Sequence, residues 1–195
     1  MKQGSIEQNA IEYICELFSN NAGGHDAAHS LRVYKNALRI AKEETGCDLE
    51  VVALATLLHD TDDHKLFQTE NNANARAFLV RERVPEAEIE RICEAINSVS
   101  FSRNRGKKPE TVEGMIVQDA DRLDAIGAIG IARTFAYGGE HGRPLEESIE
   151  HFHNKLLLLK DEMNTKTAKE MAAERHVFLE DFLAEYYKET GEDKT

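Results

Sequence analysis

The segment from Leu49 to Leu58 constrains the fold of this chain more than any other. It reads Leu-Glu-Val-Val-Ala-Leu-Ala-Thr-Leu-Leu and directly follows Asp48, a residue type that often caps helix N-termini. Its periodicity alone does not distinguish a buried strand from a buried helix, but its alanine and leucine content and the preceding aspartate favour a helix. The sequence therefore predicts a buried helix here, with other helices packed around it.

The rest of the chain also shows helical spacing of its apolar residues, and no segment has the alternation of a half-buried strand flanked by hairpin signals. A second long apolar segment, 115–131, lies within a predicted helix at about 111–135. We expect an all-α fold of about seven or eight helices. The other helices are predicted near 5–18, 26–45, 70–83, 86–99, 146–161 and 165–188.

Composition limits the classes of partner. The formal net charge is −12, so the overall field repels nucleic-acid polymers and anionic membranes, whereas a small phosphorylated ligand needs only a local cation. The three scattered cysteines form no disulfide framework, and no apolar run approaches the length of a membrane span, so we expect a cytoplasmic protein. Apolar groups at 156–159 and 178–183 predict either core or a contact between two copies in a homodimer.

Ionisable residues interrupt the apolar pattern at three places. His29 lies near the start of the second predicted helix, His59 and Asp60 end the central helix, and Asp119-Ala120-Asp121 lies inside a long apolar one. Such groups are costly in apolar helices unless they are paired or bound to a metal. Two imidazoles and two or more carboxylates form a ligand set for a divalent cation. Mixed ligation without cysteine favours a hydrolytic or oxygen-activating centre over structural zinc.

These elements, in this order, resemble the H…HD…D signature of the HD superfamily of metal-dependent phosphohydrolases. The fuller strings at 25–33, 57–60 and 118–128 are similar to one bacterial branch of small, single-domain HD hydrolases. The resemblance covers about residues 20–140, and the helices at about 146–190 are similar to that branch as well. It implies a single compact HD domain over residues 1–195.

The resemblance also implies one divalent metal ion (Mn, Ni, Co, Fe or Mg), held by His29, His59, Asp60 and Asp121. In the family the last ligand is the aspartate that directly precedes Lys or Arg, which here is Asp121 before Arg122. Asp119 is the alternative. Because it lies two residues earlier on the same helix, it points to nearly the opposite side, so both cannot easily be ligands.

Hydrolysis of a phosphoester or phosphoanhydride by a metal-activated water is the reaction that the resemblance implies. Asp63 occupies the place where several HD phosphohydrolases carry a general acid or base, and Asp62 or His64 could substitute for it. The run 61–65 can equally be a polar helix exit. Three cations could bind the substrate phosphate or form ordinary ion pairs, namely Arg32, Lys65 and Arg122.

A nucleotide is the substrate class that we expect, since nucleotides are common substrates in the superfamily. The alternatives are a non-catalytic nucleotide-sensing module and an HD-fold di-iron oxygenase. Such oxygenases use extra histidines between the HD pair and the final aspartate, whereas His64 is the only histidine between His59 and Asp121 here. Metal stoichiometry separates the hydrolase, with one ion per chain, from the oxygenase, with two irons.

Overall fold

The computed structural model describes residues 5–19, 26–64, 66–99, 104 and 107–191, and over these ranges it contains nine α-helices and no strand. The all-α prediction is therefore confirmed. None of the helices among these residues is both long and apolar enough to cross a membrane. The helices are α1 (Ile6–Leu17), α2 (Ala27–Ala41), α3 (Leu49–Leu58), α4 (Ala73–Arg81), α5 (Glu86–Asn97), α6 (Val112–Asp124), α7 (Gly127–Glu140), α8 (Leu145–Asn154) and α9 (Lys166–Thr190), with a 3-10 helix at Leu156–Glu162.

The chain forms two compact units, Met1–Asp121 and Arg122–Thr195. The first contains α1 to α5 and most of α6. The second contains the end of α6, the helices α7 to α9 and the 3-10 helix. The expectation of one HD domain over residues 1–195 stays a prediction.

Helix α3 is the centre of the first unit. Every residue from Val51 to Leu58 is buried, and the helix packs against α1, α2 and α5. The carboxylate of Asp48 accepts hydrogen bonds from the N–H groups of Glu50 and Val51, at 3.1 and 3.4 Å, and so caps the N-terminus. A helix that is buried on all sides has to be apolar all round. The prediction of a buried helix at this position is confirmed.

Three side-chain hydrogen bonds hold α6 in the first unit. Asn36 of α2 donates to the carbonyl oxygen of Ala120 at 3.3 Å, and Gln118 donates to the carbonyl oxygen of Ser98 at 2.8 Å. At the start of α6, Glu113 accepts a hydrogen bond from the backbone N–H of Asp48 at 2.9 Å. The bond from Asn36 brings the second half of α6 against the helix that carries His29.

The second unit has an aromatic core. Three phenylalanine rings from α7, α8 and α9 lie in mutual contact, with centroid separations of 5.6 to 5.9 Å, and these are Phe135, Phe152 and Phe182. Aromatic rings at this spacing add attraction beyond the apolar area that they bury. Some of the apolar residues that the sequence predicted as core or as a contact between two copies belong to this core. Leu179 and Leu183 are buried, whereas Phe178 is exposed.

The predicted helix at 111–135 is two helices. Helix α6 ends at Asp124, and α7 begins at Gly127, whose φ of +75° lies in the left-handed region that favours glycine. Apolar residues continue on both sides of the break, so the sequence pattern does not reveal that the helix ends there. The predicted helix at 146–161 also divides, because α8 ends at Asn154 and the chain continues as the 3-10 helix.

Replacement of Gly130 by alanine is expected to destabilise the second unit. A Cβ at this position would overlap the carbonyl oxygen of Ala125, a backbone atom that cannot rotate away. We expect Gly130→Ala to lower the free energy of unfolding by about 1–3 kcal/mol in urea denaturation, as overpacking does. Gly139 of the same helix has no atom within 4 Å of an added Cβ. Gly139→Ala should therefore stabilise the protein by about 0.5–1 kcal/mol, and equal effects of the two variants would contradict this account.

Candidate metal centre

The N-terminal turn of α2 places His29. The carboxylate of Asp26 accepts a hydrogen bond from the backbone N–H of His29 at 2.7 Å, and it caps the helix as its sequence position predicts. The side chain of His29 is only 2% exposed. An imidazole so deeply buried needs polar partners for its ring nitrogens.

His59 and Asp60 lie at the C-terminal end of α3, where the helix gives way to a turn. The Nδ1 atom of His59 is 2.8 Å from the carbonyl oxygen of Thr56. Because a carbonyl oxygen can only accept, Nδ1 is the protonated nitrogen, and the lone pair of a neutral ring is then on Nε2. This hydrogen bond fixes both the tautomer and the orientation of the ring, as the second partner of a metal-binding histidine commonly does.

Asp121 reaches the same place from α6. Its Oδ1 atom lies 3.3 Å from Nε2 of His29 and 3.9 Å from Nε2 of His59. The Asp121 side chain is 28% exposed, so the cluster is open to solvent beside this residue. Asp119, the alternative, is fully buried and is not part of the cluster.

The ligand atoms of the two histidines and two aspartates converge. The two Nε2 atoms are 3.2 Å apart, and the carboxylate of Asp60 places Oδ2 3.3 Å from His29 Nε2 and Oδ1 3.4 Å from His59 Nε2. Ligands around an ion at metal–ligand distances of about 2.1 Å lie about 3.0 Å apart in adjacent octahedral positions and about 3.4 Å apart in a tetrahedron. The donor set therefore fits a divalent cation in both spacing and chemistry.

The electrostatics favour a cation as well. Burial raises the pKa of the Asp121 carboxyl, but a hydrogen bond from His29 and the attraction of His29 and His59 in their protonated forms outweigh burial, so this pKa is below its usual range. Asp121 is thus ionised near neutral pH, as a metal ligand would have to be. When both rings are neutral with a lone pair on Nε2, these nitrogens and the two carboxylates face one another and repel unless a cation lies between them. In the part of the chain that the structure describes, only His29, His59 and Asp121 form a group of His, Cys, Asp or Glu whose ligand atoms all lie within 4.8 Å of one another, and Asp60 contacts each histidine through a different carboxylate oxygen.

The two predicted candidates for acid–base chemistry are placed differently. Asp63 is half-buried, and its Oδ1 lies 4.0 Å from Nδ1 of His64, which is 72% exposed. The carboxylate of Asp62 instead accepts hydrogen bonds from the backbone N–H groups of Asn74 and Ala75, at 2.9 and 3.0 Å. The carboxylate of Asp62 is therefore bound to the start of α4, and the acid–base role of Asp63 stays a prediction.

The predicted phosphate-binding cations differ in where they lie. Arg32 is half-buried on α2, one turn after His29. Lys65 lies outside the described residues. Arg122 is buried in the second unit, where it donates to the carbonyl oxygen of Glu162 and pairs with the carboxylate of that residue at 3.3 Å. Its substrate contact stays a prediction, and this pair favours a structural role.

Sequence reasoning missed two contributors. The Thr56 carbonyl is a main-chain group, so no side chain marks its role, although its position three residues before His59 is the spacing of a helical turn. Asn36 lies two turns after His29 and ties α2 to α6. Its polar amide at a helical repeat from His29 was the available signal.

Comparison with known proteins gives matches along most of the chain. A family model described as HD domain matches residues 26–126. The Bacillus subtilis protein YpgQ is 39% identical over 97% of this chain and 96% of its own length. A crystal structure of YpgQ in complex with ADP superposes with a TM-score of 0.80, at 34% identity, and covers 94% of this chain and 97% of that one. An HD-superfamily hydrolase from Bacillus thuringiensis gives a TM-score of 0.78 at 38% identity, with 95% and 96% of the two chains covered.

Addition of a divalent cation to chelator-treated protein is expected to raise its thermal unfolding midpoint. Free metal at about 100 times its Kd stabilises the folded state by about 2.7 kcal/mol, which corresponds to about 5–10 °C for a chain of this length. Differential scanning calorimetry with Mn²⁺ or Co²⁺ measures this shift. His29→Ala should abolish it, whereas His141→Ala, at an exposed histidine outside the cluster, should keep it. An equal shift in both variants would place the ion elsewhere.

Proposed function

This chain belongs to the HD domain family and is a metal-dependent phosphohydrolase, and we propose that it hydrolyses a phosphate bond of a nucleotide at the centre formed by His29, His59, Asp60 and Asp121. The observation that carries the proposal is the convergence of these four side chains, with donor atoms 3.2 to 3.9 Å apart. They come from three helical segments that are distant in sequence. A shared cation would satisfy all of these groups at one point.

The bound cation supplies two kinds of chemistry in such hydrolases, since it makes a water molecule more acidic and polarises a phosphoryl oxygen. The protein residues supply the rest. To Asp63, three residues after Asp60, we assign the role of accepting the proton of the attacking water or returning one to the leaving oxygen. Its half-buried state keeps it in reach of solvent protons. His64, 4.0 Å away and exposed, can exchange protons between Asp63 and the solvent.

Arg32 and Lys65 are the cations that we assign to the substrate phosphates. Arg32 follows His29 by one turn of α2, so it projects from the same side of the helix. Lys65 follows Asp60 by five positions. A chain with a net charge of −12 needs local cations to attract an anionic substrate, and a guanidinium can bind a phosphate through two hydrogen bonds.

A nucleotide is the substrate class that the relatives favour. The crystal structure of Bacillus subtilis YpgQ contains ADP, and YpgQ covers nearly the whole of this chain at 39% identity. We infer that this chain also binds a nucleotide through its phosphates. A single cluster of metal ligands in the described ranges favours one ion per chain, and hence a hydrolase over a di-iron oxygenase.

Activity is best tested on a panel of nucleoside mono-, di- and triphosphates and cyclic nucleotides with Mn²⁺, Co²⁺, Ni²⁺ or Mg²⁺. Phosphate and pyrophosphate release are measured separately, so that the product identifies the bond that is cleaved. We expect turnover with at least one metal, and we expect His59→Ala and Asp121→Ala to reduce it to the background rate because each removes a ligand.

The matched controls are His141→Ala and Asp181→Asn, at exposed positions of the same residue types outside the cluster. Both should retain wild-type turnover. If metal binds at one ion per chain but no nucleotide is hydrolysed, the nucleotide proposal is wrong and a sensing role gains support. If the two ligand variants keep full activity, the proposed centre is wrong.

Asp63→Asn should lower kcat by about 10²-fold or more while the affinity for metal stays at the wild-type value. Removal of a general acid or base costs about 10²–10⁴-fold, and Asp63 is not one of the four ligands. Steady-state kinetics together with isothermal titration of Mn²⁺ measure both quantities. Unchanged kcat would show that proton transfer goes through another group.

A further inference from the structure

The carboxylate of Asp62 caps a helix to which it does not belong. Its Oδ1 accepts the backbone N–H of Asn74 at 2.9 Å, and its Oδ2 accepts the N–H of Ala75 at 3.0 Å. These N–H groups are two of those that the first turn of α4 leaves without a partner within the helix. Asn72, at the N-cap position, has a left-handed backbone with φ of +55° and makes no side-chain cap hydrogen bond. Asp62 therefore supplies the cap that α4 lacks locally.

The contact is reciprocal. Asn74 returns a hydrogen bond from its side-chain amide to the carbonyl oxygen of Thr61 at 2.8 Å. Thr61 in turn donates its hydroxyl to the carbonyl oxygen of Leu58 at 2.8 Å, at the end of α3. Three hydrogen bonds thus join two consecutive residues, Asp62 and Thr61, to the start of α4. Two of them involve a carboxylate and are of the stronger, charge-assisted kind.

Helix α4 is itself firmly held, so it can serve as a fixed support for the turn. Tyr13 of α1 stacks on Phe78 with ring centroids 4.9 Å apart, and the Arg81 guanidinium lies over both rings. At the other end of α4, Glu82 accepts a hydrogen bond from Asn9 of α1 at 2.7 Å.

We propose that Asp62 is a positioning residue for the metal centre, and this inference rests on the proposed function. Asp62 lies between Asp60, a proposed ligand, and Asp63, the proposed acid or base. The backbone N–H of Asp63 bonds to the carbonyl oxygen of Asp60 at 3.1 Å, so these residues form one tight turn. With the Asp62 carboxylate fixed on α4, this turn has one orientation relative to α3, and Asp60 is held beside the histidines.

The experiment measures the Mn²⁺ dissociation constant by isothermal titration for Asp62→Ala, Asp62→Asn, Asn74→Ala and the Asp62→Asn/Asn74→Ala pair, each at a matched folded fraction. Loss of a residue that orients metal ligands weakens binding about 10–100-fold. We expect at least about tenfold weaker binding for Asp62→Ala. Asp62→Asn keeps one acceptor oxygen and should lose less. The double variant should lose less than the product of its single effects, because both act on one contact.

The matched control is Thr165→Ala, which removes the cap of α9, where Thr165 accepts a hydrogen bond from the N–H of Ala168 at 3.3 Å. It should lower the unfolding midpoint and leave Mn²⁺ affinity unchanged. The milder Asn74→Ala keeps the test decisive if Asp62→Ala does not fold.

Several outcomes separate the possibilities. Wild-type Mn²⁺ affinity in folded Asp62→Ala or Asn74→Ala would overturn the positioning role and leave the proposed function intact. Loss of turnover in Asp62→Asn with unchanged Mn²⁺ affinity would overturn it too, because this pattern marks a group that acts on substrate or water. Failure of the wild-type protein to bind Mn²⁺ or any other divalent cation would overturn the proposed function and the positioning role together.

Discussion

At the end of a fully buried helix, polar groups lie where water does not reach them. The arrangement of the first unit depends on which protein groups form hydrogen bonds or ion pairs with them. Helix α3 is buried from Val51 to Leu58, and His59 and Asp60 follow without a break. An unpaired polar atom at this depth costs a large share of a domain's net stability. The carbonyl oxygen of Thr56 accepts a hydrogen bond from Nδ1 of His59. Beside the remaining ring nitrogen and the Asp60 carboxylate, α2 places Nε2 of His29, at 3.2 and 3.3 Å, and α6 places the carboxylate of Asp121.

This cluster of ionisable groups at the end of an apolar helix explains why the site could be predicted from sequence at all. An apolar segment can end in His59 and Asp60 only where other groups or a cation interact with them. The interruption of the apolar pattern by these two residues was therefore itself the indication of a site. The all-α class followed from helical periodicity, and the caps at Asp26 and Asp48 followed from residue type, because both depend on neighbours within a few positions. His29, His59 and Asp121 were grouped by order along the chain, and the structure brings their ligand atoms within 4.8 Å of one another.

The features that sequence did not predict depend on contacts between distant residues. Asp62 was grouped with Asp63 because both follow the HD pair, yet its carboxylate bonds to residues twelve and thirteen positions later. Arg122 was a phosphate-binding candidate because it follows Asp121, but it pairs with Glu162, forty positions away. The break between α6 and α7 was hidden by apolar residues on both sides, and only the left-handed backbone of Gly127 marks it. Residue type and local spacing carry none of this information, since each case depends on which other helix is close.

The spacing of the four converging residues along the chain has a consequence for the topology of the fold. His29 and His59 are thirty positions apart, and Asp121 comes from a third helix much later in the sequence. An ion held by all of them closes two long loops at one point, as a pair of disulfides sharing one atom would. Unlike a disulfide, this cross-link exists only while the ion is bound to the folded chain, and a chelator removes it without a reductant. The availability of the metal then determines whether these three segments of the chain are cross-linked.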